Sequence, residues 1–172
     1  MQALIARLTA ALGADAVLTG DAISDRYHSP WTNLGAPLAV LLPRSTEAVA
    51  AILREASAAG VSVVPWGGRS GLVDGCAATG ALALSLEHMT AIEEIDATAA
   101  TMTVQAGCIL QNACEAAERE KLFLPLDLGA RGMATIGGNI ATNAGGNRVL
   151  RYGMMRDMVL GVEAVLADGT VI

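Results

Sequence analysis

A layered α/β fold is predicted by three features of this 172-residue chain. The composition is 53% hydrophobic but only 3% aromatic, so the core must be assembled from Ala, Val, Leu, Ile and Met. That palette suits helices laid on a sheet of β-branched residues. The third feature is an apolar run, a helical pattern and a second apolar run in succession between residues 38 and 64, the signature of a strand–helix–strand crossover.

Taken in order, Leu4, Ile5, Leu8 and Leu12 fall at helical spacing over residues 2–12 and stop at Gly13, a suitable C-terminal cap. Residues 14–36 lack periodicity and carry Ser29, Pro30, Asn33 and Gly35, which reads as an irregular arm. LAVLL (38–42) is a buried strand, Thr46–Ala59 a helix with Glu47 in its first turn, and VSVV (61–64) a second, parallel strand. ALALSL (81–86) is a third strand. PWGGRSGLVDG (65–75) therefore leaves the C-terminal end of a parallel strand, where open α/β sheets bind ligands.

Beyond residue 91 the pattern changes. IEEID (92–96) and TMTVQAG (101–107) alternate over short runs and predict an antiparallel hairpin, and Ile109–Lys121 has one apolar face and reads as a helix. VLGVEAVLA (159–167) is expected as a strand, Asp168-Gly169 as a tight turn, and TVI as the start of the return strand. The chain stops three residues into that strand, which reads as a fragment of a longer protein.

The formal charge of −6, from 17 acidic and 11 basic residues, argues against a nucleic-acid surface, which needs clustered Lys and Arg. Cys76, Cys108 and Cys114 include no CxxC pair and read as reduced, half-buried small residues of a cytoplasmic protein, neither disulfide nor metal ligands. The N-terminus is not a secretory signal, and no apolar stretch reaches the roughly 20 residues of a membrane span.

Two glycine-rich segments carry the functional signal. In residues 65–75, Gly67, Gly68, Gly71 and Gly75 surround Arg69 and Ser70. Residues 125–146, PLDLGARGMATIGGNIATNAGG, hold six glycines and two asparagines with no lysine and one arginine. Glycine lets the backbone approach a ligand closely, so successive N–H groups can line the contact as an anion nest. Gly137 and Gly138 are expected to open a short helical turn, with Asn139, Thr142 and Asn143 near its N-terminus, where a phosphate or a ring carbonyl is stabilised. The bland alternative for each segment is a tight turn or a close helix–strand contact. Neither a GK[ST] triphosphate loop nor a GxGxxG fingerprint is present. The expected guest is a large, flat, phosphorylated cofactor.

PWGGRSGLVDG, then VQAGCILQNACEAAEREKLFLPLDLGARGMATIGGNIATNAGGNRVLRYG, then VLGVEAVLADGTVI, closely resembles the FAD-binding (PCMH-type) domain of the vanillyl-alcohol-oxidase flavoproteins, and within them the D-2-hydroxyglutarate and D-lactate dehydrogenase branch. The resemblance implies an α+β fold of two lobes: a small parallel βαβ lobe (37–90) and a larger antiparallel lobe with helices (91–172, incomplete), after an N-terminal helix and arm (1–36). It places FAD, held non-covalently, against Pro65, Gly67, Gly68, Arg69, Ser70, Gly71 and Leu72 at the pyrophosphate, and against Pro125, Leu126 and Gly129 beside the flavin or ribityl chain. Gly137, Gly138, Asn139, Ala141, Thr142, Asn143 and Gly146 form the second cradle.

The implied reaction is oxidation of a D-2-hydroxy acid to the 2-oxo acid by hydride transfer to flavin N5, with the electrons passed to a quinone, a cytochrome or an electron-transfer flavoprotein. Substrate, metal and base residues are then expected beyond residue 172, so this chain alone is expected not to turn over. A cytoplasmic site follows, with peripheral attachment to the inner membrane open to the full-length protein. The competing expectation is a non-catalytic flavin-binding module completed by a partner. His28, His88, Arg148 and Arg151 lie outside the cradle loops; neither histidine is expected to carry a covalent flavin or catalysis, and the arginines are as well read as solvated or domain-contacting as cofactor ligands.

Overall fold

The computed structural model describes residues 1–27 and 35–172, which form two compact units that interleave along the chain. The first unit comprises residues 1–66, 71–88 and 163–172; the second comprises 67–70 and 89–162. His28 and the arm residues 29–34 lie outside the described residues.

In the first unit, α1 (Gln2–Leu12) ends at Gly13, whose φ of 92° suits only glycine. The arm is more ordered than its composition predicts. It contains β1 (Val17–Leu18), which pairs antiparallel with β2 (Ala39–Leu41), and a 3₁₀ turn at Gly20–Ile23. The helix α2 (Thr46–Ala58) starts at Ser45, whose Oγ accepts the Ala48 N–H at 3.2 Å, with Glu47 favourably placed in the first turn. It buries Val49, Ala50, Ile52 and Ala56, spaced to share one face.

Strand β3 (Val63–Trp66) sits two residues later than predicted, and β4 (Leu82–Ser85) is inserted between β2 and β3, parallel to both, giving the order β1-β2-β4-β3. β3 is thus an edge strand. That explains how it accommodates Pro65, which has no N–H to give to a ladder. Val40, Leu42, Ala83, Trp66 and Ile23 form the core of this unit.

The predicted strand over 159–167 is not formed. Only a narrow hairpin exists, with Ala164 and Ile172 exchanging backbone hydrogen bonds at 2.9 Å and Leu166 N donating to Thr170 O, around the Asp168-Gly169 turn. Among the described residues no strand pairs with 159–163, so its β-branched pattern has no ladder to join. Gly169 (φ 81°) turns the hairpin against Ala50 and Arg54 of α2.

The second unit opens with the antiparallel hairpin β5 (Ile92–Asp96) and β6 (Thr101–Val104). α3 (Leu110–Arg119) follows, burying Leu110, Ala113, Ala116 and Ala117. After a long irregular stretch come two short helices, α4 (Ile136–Ala141) and α5 (Val149–Tyr152). Cys108, Leu110, Ala113, Leu126, Ile136 and Met155 make its core. The two units bear out the α+β class.

Candidate functional site

β3 delivers the chain into the first glycine segment through Trp66, which is 2% exposed and donates its indole N–H to Cys76 O at 2.7 Å. That bond ties the two ends of the 67–75 loop together. Inside it Arg69 and Asp74 hold φ of 52° and 53°, the left-handed backbone that turns successive N–H groups toward one side. Among the described residues, the N–H groups of Gly67, Gly68 and Ser70 have no acceptor, and neither has that of Gly71. These are half-exposed or exposed donors with capacity for an anion.

The glycines themselves meet protein. A Cβ on Gly67 would stand 2.5 Å from Thr135 Oγ1, and one on Gly68 would overlap the carbonyl of Met133. The two glycine segments, distant in sequence, therefore touch backbone to backbone. Gly137 packs in the same way on Ala106, and Gly146 on the carbonyl of Asp127. Within the two segments, Gly71, Gly75, Gly129 and Gly132 face open space.

The second segment differs from its prediction as an anion nest. Thr135, 5% exposed, caps α4: its Oγ1 accepts the Gly138 N–H at 3.2 Å and its carbonyl accepts that of Asn139 at 2.9 Å. Gly137 N donates to Ala106 O, and Ile136 N to Cys108 O, both at 2.8 Å. The donors at the start of α4 are satisfied internally, leaving none for a phosphate. Thr142 and Asn143 are not near that N-terminus either, because the helix is only six residues long and they follow its far end. Thr142 Oγ1 donates to Gly138 O at 2.9 Å. Asn143, at φ 48°, accepts the Arg156 N–H at 2.9 Å and so fastens the 154–158 turn to the end of α4.

Asn139 stands apart. It is 4% exposed, yet its Nδ2 has no acceptor. A buried amide left unpaired costs about 1–3 kcal/mol, so such a group calls for a partner. An oxygen or ring nitrogen of a bound cofactor meets that need, and this chemistry together with the free N–H groups of the first loop fits FAD.

The remaining predicted residues are dispersed. Leu126 is packed into the core of the second unit and Pro125 is half-buried, while Pro65, Gly71, Leu72, Gly129 and Ala141 are exposed. His88 is exposed on the turn after β4. Arg148 stacks over Phe123 and pairs with Asp127 at 3.5 Å; Arg151 stacks on Tyr152. Sequence reasoning passed over Thr135, although a threonine directly before a helical turn is an N-cap signal. Cys108 is fully buried, and burial pushes its thiol up from the ordinary value.

A model of the FAD binding domain matches residues 37–172. The chain belongs to that family. Among its relatives, the D-2-hydroxyglutarate dehydrogenase of Xanthomonas citri pv. viticola is 45% identical over 168 residues, 96% of this chain and 36% of the relative. The mitochondrial enzyme of that name from Danio rerio is 45% identical over 77% of this chain and 25% of its own length. The chain thus spans between a quarter and about a third of these relatives.

Two solved structures share this fold. An alkyldihydroxyacetonephosphate synthase superposes with a TM-score of 0.86 at 20% identity, over 97% of this chain and 33% of that one. The 4-ethylphenol oxidase of Gulosibacter chungangensis superposes with a TM-score of 0.83 at 24% identity, over 99% and 34%. The expected FAD-binding domain, and its resemblance to the D-2-hydroxyglutarate dehydrogenase branch, are borne out, with FAD as the cofactor. No helix among the described residues is long and apolar enough to cross a membrane.

Proposed function

We propose that this chain is the FAD-binding part of an oxidoreductase that converts a D-2-hydroxy acid, of the D-2-hydroxyglutarate or D-lactate type, to the 2-oxo acid. The observation that carries the reading is 45% identity over 96% of the chain to a D-2-hydroxyglutarate dehydrogenase, against 20% and 24% for the two structural neighbours. When bound, FAD supplies the hydride acceptor, flavin N5, and the protein's part is to position and tune it.

In this reading the loop 65–72 receives the pyrophosphate on the N–H groups of Gly67, Gly68, Ser70 and Gly71. Its left-handed turn at Arg69 supports the assignment. Pro125, Leu126 and Gly129 run beside the flavin or ribityl chain. Thr135, Gly137, Gly138 and Gly146 hold the floor against which the first loop is set, while Ala141, Thr142 and Asn143 fix the end of α4. Asn139 donates its unpaired Nδ2 to a cofactor acceptor. FAD is held non-covalently: neither 65–75 nor 125–146 contains a histidine or cysteine. No catalytic base is assigned within this chain.

The test is the visible spectrum of the full-length, FAD-loaded protein. Addition of D-2-hydroxyglutarate or D-lactate without oxygen is expected to bleach the flavin band near about 450 nm as hydride reaches the cofactor. A protein that cannot be loaded with FAD, or a band untouched by both acids, overturns the proposal.

A further inference from the structure

The second unit carries a surface whose residues lie outside those assigned to the cofactor. Between residues 125 and 158 the chain has four arginines, Arg131, Arg148, Arg151 and Arg156, and only two acids, Asp127 and Asp157, although its overall charge is −6. The structure sets two of these arginines, Arg148 and Arg151, over exposed aromatic rings. The Arg148 guanidinium lies 4.8 Å from the Phe123 ring centre, Phe123 meets Tyr152 edge-on at 5.8 Å, and Arg151 lies 5.2 Å from the Tyr152 ring centre. Asp127 is shared by Arg148 at 3.5 Å and Arg131 at 3.7 Å, so one carboxylate faces two cations. Phe123 and Tyr152 are 51% and 38% exposed, and Leu150 between the arginines is fully exposed.

We infer that the face made by Phe123, Arg148, Leu150, Arg151 and Tyr152 docks an acidic protein segment, one that presents carboxylates beside an apolar side chain. Arginine and aromatic residues are the types that anchor protein interfaces. Stacking on a ring restrains each guanidinium before the partner arrives, which lowers the ordering cost of binding. The excess positive charge selects carboxylates, and it steers their approach in salt-dependent fashion. Four arginines set against two acids fall short of the six to ten or so phosphate contacts of a duplex-binding protein, which disfavours a nucleic acid.

The test uses the full-length, FAD-loaded protein and a fluorescein-labelled ten-residue Asp/Glu peptide containing two leucines, followed by anisotropy at low salt. Binding is expected to weaken at least tenfold in Arg148→Glu/Arg151→Glu, severalfold in Arg151→Glu alone, and again on raising the salt. Arg151→Glu leaves the Arg148–Asp127 pair in place, and circular dichroism verifies that each variant is folded. Arg44→Glu/Arg119→Glu makes the same change in net charge at two exposed arginines elsewhere and is expected to bind as the parent does. Equal weakening in the patch and control variants overturns the inference. So does binding through these arginines to phosphatidylserine vesicles without binding to the peptide, or a peptide that does not bind while the patch variants alter only self-association.

Discussion

Replacing Gly68 by alanine tests whether the two glycine segments are joined as described. Gly68 does not have a left-handed φ, so alanine is allowed by the backbone at this point and the whole effect is steric. The new Cβ would overlap the carbonyl of Met133 and approach Ala134 Cα at 3.0 Å. Both neighbours are backbone and cannot rotate away. Forcing such a contact apart costs about 1–3 kcal/mol. For a chain of this size each kcal/mol lowers Tm by roughly 2–4 °C, so the apoprotein is expected to melt roughly 2–12 °C lower.

If the displaced backbone carries the free N–H groups of Gly67, Gly68 and Ser70, the same strain appears in cofactor affinity, about tenfold in Kd per 1.4 kcal/mol. Gly71→Ala is the matched control. Nothing lies within 4 Å of its Cβ position and its φ is not left-handed, so the apoprotein should melt unchanged or a few tenths of a kcal/mol more stably. Any loss of FAD in that variant then reports the cofactor's own volume. Scanning calorimetry of the apoprotein and flavin fluorescence titration separate the two readouts. A Gly68→Ala protein with unchanged Tm and unchanged FAD affinity would refute the account of the loop.

Three further outcomes are expected. Thr135→Val keeps the shape but removes the acceptor for the Gly138 N–H, and should cost about 0.5–2 kcal/mol in denaturant unfolding, with Thr135→Ser restoring most of it. Asn139→Leu removes an unpaired buried amide, so the apoprotein should be no less stable while FAD binds at least tenfold more weakly; equal losses in both measurements would refute the role given to Nδ2. Burial alone would raise the Glu87 carboxyl, but hydrogen bonds from Arg26 at 2.7 and 2.8 Å and from Ser85 at 2.9 Å, with the charges of Arg26 and His88, hold it below its ordinary value. Its contribution is therefore complete above the unfolded carboxyl's pKa, near about 4.3, and is lost as pH falls through the lower folded value. Glu87→Gln should flatten the acid limb of unfolding stability against pH, which urea titrations at successive pH values would reveal.

What could be read from the sequence was local. α2 was legible because Ser45, Glu47 and the spacing of Val49, Ile52 and Ala56 agree with one another, and the β5–β6 hairpin because its alternation is confined to two short runs. β1 was not legible: two residues, Val17 and Leu18, carry no periodicity, and they become a strand only because β2 offers them an edge. The position of β3 depended on sheet order, since Pro65 argues against a strand until the strand is known to lie at the edge. Residues 159–163 erred the other way, for a strand pattern without a neighbouring strand makes no ladder.

The glycine segments show the same limit at the site. Both were conspicuous in sequence, and both looked like anion nests, because composition does not record where an N–H is already engaged. Gly137, Gly138 and Asn139 give their N–H groups to Ala106, to the Thr135 hydroxyl and to the Thr135 carbonyl, whereas Gly67, Gly68 and Ser70 give theirs to nothing among the described residues. Glycine richness thus serves two different ends. The second loop is a rigid backing whose glycines admit the first loop, and the first loop keeps its donors because its glycines lean on that backing instead of on a helix of its own. Under the proposed assignment, the unengaged N–H groups of this chain of net charge −6 would receive the two phosphates, and the contact between Gly68 and the Met133 backbone would hold them in place. A substitution at Met133 or Ala134 that shifts this backbone should therefore weaken FAD binding as Gly68→Ala does, although neither side chain belongs to the glycine pattern that drew attention to the site.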